Sequence, residues 1–224
     1  MDILIHEFFN IEVMVRVWPL IWRGLLQTLL LAVLIVPLGL CGGLLVSLAT
    51  TSRRAWLRRL GVAYVDFFRS FPPLMLLILV YSGLPFAGIR LEPTVSICLA
   101  FLLHASSYYG EIYRAGIESV GPGQTEAARS TGLNWLQALV YVVLPQGVRN
   151  VLPELASNTI ELIKLTTLAS VVSAPELLHS ADLARSLTYN TSPLVLAAII
   201  YLVLLWPAVE LTRRLDNRIQ SLLR

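Results

Sequence analysis

From Gly24 to Ser52 the chain carries no charged residue. A run of that length crosses a hydrocarbon core that needs about 20 apolar residues, and a water-soluble fold has no comparable use for it. Four arginines follow within Arg53–Arg59, which by the positive-inside tendency places that segment on the cytoplasmic side. The whole chain conforms: its 224 residues are 56% hydrophobic and 14% charged, with mean hydropathy +0.72, where a soluble domain carries about a quarter charged residues. The expected fold class is all-α and polytopic in a membrane.

The other apolar runs extend this to five spans. Met1 to Trp18 sets Asp2, Glu7 and Glu12 among apolar residues and lacks the basic region of a cleaved signal peptide. It reads as an amphipathic segment on the outer face, residues 1–18. In the first span, Pro37, Gly39, Gly42 and Gly43 suit close helix packing or a kink. Ser70 to Ile89 is the second span, preceded by Asp66 and Arg69, with Pro72 and Pro73 where a helix begins or breaks. An outer loop, Arg90 to Pro93, leads to the third span, Thr94 to Tyr113, whose end sets Glu111 and Arg114 on one face. Arg149 to Val172 is the fourth and Pro193 to Val209 the fifth, joined by a loop from Ser173 to Ser192. A tail over 213–224 carries Arg213, Arg214, Arg218 and Arg224. Five crossings put the N-terminus outside and the tail in the cytoplasm. Leu133 to Val148 is too short and too interrupted by Pro145 to be a sixth span, so it reads as interfacial. One transmembrane domain, 19–212, then holds a cytoplasmic loop at 118–146.

The net charge of +3 comes from 17 basic residues, all arginine except Lys164. They cluster at the ends of apolar runs, which is a membrane pattern and not a nucleic-acid footprint. Cys41 and Cys98 lie inside apolar runs, and His6, His104 and His179 have no ligand spacing, so neither a disulfide framework nor a metal site is expected. No catalytic side-chain set and no cofactor motif stands out. The sequence contains no GxxxxGK[ST], so it does not hold a nucleotide by that device.

Two polar stretches break the apolar pattern. The first is Gly121 to Pro153. Gln124 to Ser130 has the composition of a short helix: Gly121, Pro122 and Gly123 punctuate its start, Thr125 can cap it, Ala127 and Ala128 favour it, and Gly132 stops it. A second short helix is expected to run to Leu144 and stop near Pro145. Together they make a compact knob, shallow at the alanines, where a partner could pack while Glu126 and Arg129 fix its orientation. An ordinary surface helix has the same composition, and only the spacing argues for more. The second stretch is the fourth span, which contains Glu154, Asn158, Glu161, Lys164, Thr166 and Thr167. Glu154, Asn158, Glu161 and Leu165 fall on one helical face, which should line a wet cavity or a subunit interface. Alternatively, Glu161 and Lys164 simply satisfy each other three residues apart.

Glu126, Ala127 and Ala128, then Gly132, then Leu144 and Pro145, have the spacing of the EAA motif, and the chain here resembles the permeases of ATP-binding cassette (ABC) importers. From about Tyr64 to Leu178 it is similar to the polar amino acid subfamily, which serves histidine, glutamine, arginine, glutamate and opines. Tyr108, Glu111, Arg114, Gly123 and Gln124 match that pattern, as do Leu144, Pro145, Gln146, Arg149 and Pro153. Its Lys-Asp-Thr-Ser-Leu signature is partly kept in Lys164, Leu165, Thr166, Thr167 and Leu168. Arg69 and Pro72 survive from Arg-Gly-Thr-Pro, Leu76 stands where the family has Gln, and Thr159 stands where carriers of basic amino acids often have an acid.

The resemblance implies a type I, MetI-like permease of the bacterial inner membrane. A separate cytoplasmic ABC ATPase would dock on Glu126, Ala127, Ala128, Arg129 and Gly132. A second permease subunit, identical or paralogous, and a periplasmic solute-binding protein would complete the importer. Asn158, Glu161, Lys164, Thr166, Thr167, Arg69, Tyr108 and Glu111 would line the solute pathway, and lipid would surround the rest. Two readings of other classes compete. A gradient-driven secondary transporter would use the fourth-span carboxylates as ion sites, but no inverted repeat supports it. A membrane anchor that recruits a cytoplasmic partner has no need of a polar fourth span.

Overall fold

A computed structural model of the chain describes residues 6–222. Residues 1–5 of the expected outer segment, including Asp2, lie outside the described residues, as does Arg224. Every regular element among the described residues is helical. The helices are α1 (Ile11–Thr50), α2 (Ala55–Ser70), α3 (Pro73–Ile78), α4 (Pro93–Ser119), α5 (Pro122–Ser130), α6 (Trp135–Ala138), α7 (Leu144–Asn150), α8 (Leu152–Leu165), α9 (Leu177–Thr188) and α10 (Ser192–Leu222).

Three stretches are long and apolar enough to cross a membrane, His6–Thr50, Leu152–Val172 and Ser192–Asn217, and α2 with Pro73–Ala87 makes a fourth if that pair forms one broken span. α4 has 27 residues, about 40 Å of helix, but its hydropathy is lowered by Ser96, His104, Ser106, Ser107 and Tyr109, all buried. One expectation is corrected. The outer segment does not end as a separate element at Trp18, because α1 runs through Trp18, Pro19 and Pro37 without interruption. In the second span a helix begins at the prolines, where the sequence expected one to begin or break. Phe71 is extended (φ −90°, ψ 126°), as a residue before proline must be, and α3 starts afresh at Pro73.

A heptapeptide frame that sequence reading passed over occurs twice, as Leu79-Val80-Tyr81-Ser82-Gly83-Leu84-Pro85 and Leu139-Val140-Tyr141-Val142-Val143-Leu144-Pro145. In each copy the five residues before Leu-Pro form a π-turn. A proline has no N–H and its ring strikes the carbonyl four residues back, and a widened turn takes up that misfit. The helix expected to stop near Pro145 therefore passes through it, and α7 continues to Asn150.

The chain forms two compact units. One comprises the residues through Val36, Pro73–Phe101 and Ile160–Glu210; the other comprises Pro37–Pro72, Leu102–Thr159 and the residues from Leu211 onward. In the first, Leu177, Ala181 and Ala184 of α9 pack with Val17, Ile21 and Leu25 of α1 and Ala197 of α10. Gly24 lets the helices meet closely, since a Cβ there would stand 2.5 Å from Ser180 Oγ. In the second unit α1 presents Gly39, Gly42 and Gly43 to Ala105, Ser106 and Tyr109 of α4. A Cβ on Gly43 would lie 2.4 Å from Tyr109 Cβ and 2.9 Å from the Gly110 nitrogen. The glycine cluster is used for close packing.

Glu176 anchors the first unit. It is fully buried, and its carboxylate caps α9 by accepting from the amides of His179 (2.6 Å) and Leu178 (2.8 Å). The Tyr201 hydroxyl donates to it at 3.3 Å, and the Leu177 amide is taken by Thr28 Oγ1 at 3.0 Å. Burial pushes this carboxyl up from the ordinary 4.5, and the three donors pull it only part of the way back. The folded protein thus binds the Glu176 proton more tightly than the unfolded chain does. Its contribution to stability is fully present below pH 4.5 and is lost as pH rises through the raised value. Thermal unfolding of the detergent-solubilised protein across that range should show the unfolding midpoint falling with rising pH. Glu176→Gln, which keeps an acceptor and cannot ionise, should flatten that slope; an unchanged slope would remove Glu176 as its source.

Candidate coupling site and solute pathway

The knob is built as a helix, a glycine turn and a capped second helix. α5 starts at Pro122, whose fixed φ suits a first turn and whose missing N–H is not needed there, with Gly121 before it making no side-chain cap. Thr125, expected as the cap, lies inside the helix. At the other end Gly132 adopts φ +92° and its nitrogen donates to the Arg129 carbonyl at 3.0 Å. A Cβ on Gly132 would meet nothing within 4 Å, so the backbone conformation and not the space demands glycine. Asn134 then opens α6 with a capping box. Its Oδ1 accepts from the Gln137 amide at 2.9 Å, and its own amide donates to Gln137 Oε1 at 2.9 Å. That Asn-x-x-Gln was legible in the sequence and was not read.

Glu126, Ala127, Arg129 and Gly132 are exposed. Neither charge enters an ion pair among the described residues. Ala128 corrects the expectation of a shallow two-alanine surface: it is 7% exposed, in a helix that packs against the π-turn at Leu139–Val143.

The residues expected to line the pathway fall into two groups. In one unit the Arg69 guanidinium lies over the Tyr108 ring, 5.2 Å from its centroid. Glu111 is held by Arg114 through two bonds of 2.5 and 2.9 Å, and Arg114 also reaches Glu118. Glu111 is therefore an engaged partner and not an open carboxylate. The Tyr109 hydroxyl meets Thr159 Oγ1 at 2.7 Å, and Asn158 stands beside the same hydroxyl. This contact joins α4 to α8, and neither Tyr109 nor Thr159 was a candidate. His104, set aside in the sequence for want of a ligand pattern, is 7% exposed with its ring 4.7 Å from that of Tyr108.

In the other unit Glu161 and Lys164 pair at 2.5 Å, with side chains 64% and 46% exposed. Thr166 and Thr167 depart from expectation. Both were read as groups able to bond across helices, but their hydroxyls donate to the carbonyls of Ile163 and Lys164, at 2.7 and 2.8 Å, as the chain tightens into a 3₁₀ turn over Thr166–Val172. Thr166 is 1% exposed. The open polar groups of this unit's stretch are thus Glu161 and Lys164.

Residues 35–221 match the binding-protein-dependent transport system inner membrane components. The chain belongs to that family. It is 36% identical over 195 residues, 86% of each chain, to the probable amino-acid ABC transporter permease protein YckA of Bacillus subtilis, and 32% identical to the probable glutamine ABC transporter permease protein GlnM of the same species, over 95% of this chain and 99% of GlnM. Among solved structures, a crystal structure of an amino acid ABC transporter with histidines superposes with TM-score 0.83 at 34% identity, covering 92% of this chain and 96% of that one. In this permease the EAA residues occupy one helix–turn, with Gly132 as its fixed point.

The turn can be tested directly. A β-branched residue at φ +92° costs about 1–2 kcal/mol, which is roughly a tenfold change in local opening. Trypsin cleavage after the exposed Arg129 in detergent-solubilised Gly132→Val should be faster by about that factor, and Gly132→Asn should lie between it and the parent. Equal cleavage of all three would mean that the turn does not hold α5.

Proposed function

We propose that this permease carries a polar amino acid, or a close derivative, inward across the bacterial inner membrane by alternating access. The exposed Glu126, Ala127 and Arg129 on a helix fixed at Gly132 carry the reading. They form a surface with unspent charge, suited to a groove on a cytoplasmic ATPase that supplies the energy this chain has no motif to supply. A second permease subunit and a periplasmic binding protein complete the machine, with the N-terminus in the periplasm and the basic tail in the cytoplasm. Closure of the ATPases on nucleotide moves the knobs and switches the cavity between inward and outward access.

An amino acid is favoured as solute because Glu161 and Lys164 present one charge of each sign at an exposed part of the fourth span. A zwitterion can exchange partners with such a pair, its ammonium to Glu161 and its carboxylate to Lys164. The relatives' names point to the same class. An exposed pair of this kind is worth only about 0.2–1 kcal/mol to the fold, so it is readily opened by a solute.

Vesicles holding the permease, its ATPase and its binding protein should take up amino acids only with ATP inside, and an uncoupler should leave uptake intact. Uptake without ATP that an uncoupler abolishes would favour a gradient-driven carrier, and no uptake of any solute would favour an anchor. Glu161→Gln should lower uptake of cationic amino acids at least tenfold. If uptake and selectivity survive that substitution, the role given to this carboxylate is wrong.

A further inference from the structure

We infer that Gly116 and Gly147 form the stiff joint through which motion of the knob enters the transmembrane helices. The inference rests on the proposed ATPase-driven function. The chain leaves α4 for the knob just after Gly116 and returns through α7, which contains Gly147. These stems touch backbone to backbone. A Cβ on Gly116 would lie 2.6 Å from the Gly147 oxygen and 2.9 Å from Val151 Cγ2; one on Gly147 would lie 2.8 Å from the Gly116 oxygen and 3.1 Å from the Ile117 nitrogen. Each glycine thus fills the only space the other leaves. Three residues further along each stem the contact repeats in polar form, where Asn150 Nδ2 donates to Ser119 Oγ at 2.9 Å.

The mechanical consequence follows from the geometry. A knob on two stems that can splay absorbs a push by bending at its base. Stems in direct backbone contact have no side chain to rotate away and move as one body. The displaced α4 carries Tyr109, whose hydroxyl meets Thr159 of α8 at 2.7 Å, so a displacement at the joint reaches the helix that bears the polar face. Both glycines and the Asn150–Ser119 bridge are positioning residues: they touch neither solute nor nucleotide, and they set how faithfully the stroke is passed on.

The test uses the complete importer in vesicles and measures uptake and ATP hydrolysis together. Gly116→Ala and Gly147→Ala each wedge a methyl between the stems. Both variants should still assemble with the ATPase and hydrolyse ATP, while solute moved per ATP falls at least tenfold. Gly83→Ala, whose methyl would meet only Leu79 Cδ2 at 3.9 Å, should keep the parental ratio. Asn150→Ala, on an exposed residue, should lower the ratio about threefold, and it decides the matter if the glycine variants fail to assemble. A parental ratio in the glycine variants, or in Asn150→Ala when those cannot be made, overturns the joint. Lack of ATP-dependent uptake by the unmodified importer would instead overturn the function on which it rests.

Discussion

Helices in lipid are not driven together by water, because a neighbouring acyl chain is as apolar as a leucine. What holds this chain together is therefore close approach, and close approach is set by where side chains are missing. Gly24 admits Ser180, Gly43 admits Tyr109, and Gly116 and Gly147 admit each other. At each place a methyl would sit well inside van der Waals distance of its neighbour, so these contacts have one arrangement and little compliance. Buried polar groups act with the same economy. Glu176 is tolerated in the interior because two amides and a tyrosine hydroxyl meet it, and those bonds fix the start of α9.

The parts proposed here to act on a motor and a solute are built on the opposite principle, that of unspent polarity. α5 turns Ala128 inward to hold itself against the chain and leaves Glu126, Ala127 and Arg129 outward. Glu161 and Lys164 satisfy each other but remain exposed enough to be separated. A permease subunit needs both kinds of region: rigid crossings that pass displacement on, and open polar surfaces where a motor and a solute can act on it.

Much of this was legible in the sequence. Uncharged runs fixed the membrane class, the EAA spacing located the knob, and Gly132 was correctly read as its stop. What could not be read depended on local backbone adjustment or on partners elsewhere in the chain. Pro145 looked like a stop, but a π-turn absorbs it and the helix continues. Ala128 looked available but is buried, in a helix that packs against the π-turn segment. Thr166 and Thr167 were assigned outward bonds because local back-bonding to Ile163 and Lys164 leaves no mark in spacing. Gly116 is one glycine in a helical pattern, and its meaning appears only when Gly147 is opposite it. Two signals were present and missed: the repeated Leu-Val-Tyr-x-x-Leu-Pro and the Asn134–Gln137 capping box.

Everything functional requires α5 to face the compartment that holds ATP. The most direct test places a cysteine at the exposed Ala127 in a chain whose Cys41 and Cys98 have been replaced, and treats intact cells with a membrane-impermeant maleimide. The label should fail to reach residue 127 in intact cells, reach it in inside-out vesicles, and be blocked there when the ATPase is bound. Labelling of intact cells would place the coupling surface on the outer side of the membrane and contradict the mechanism.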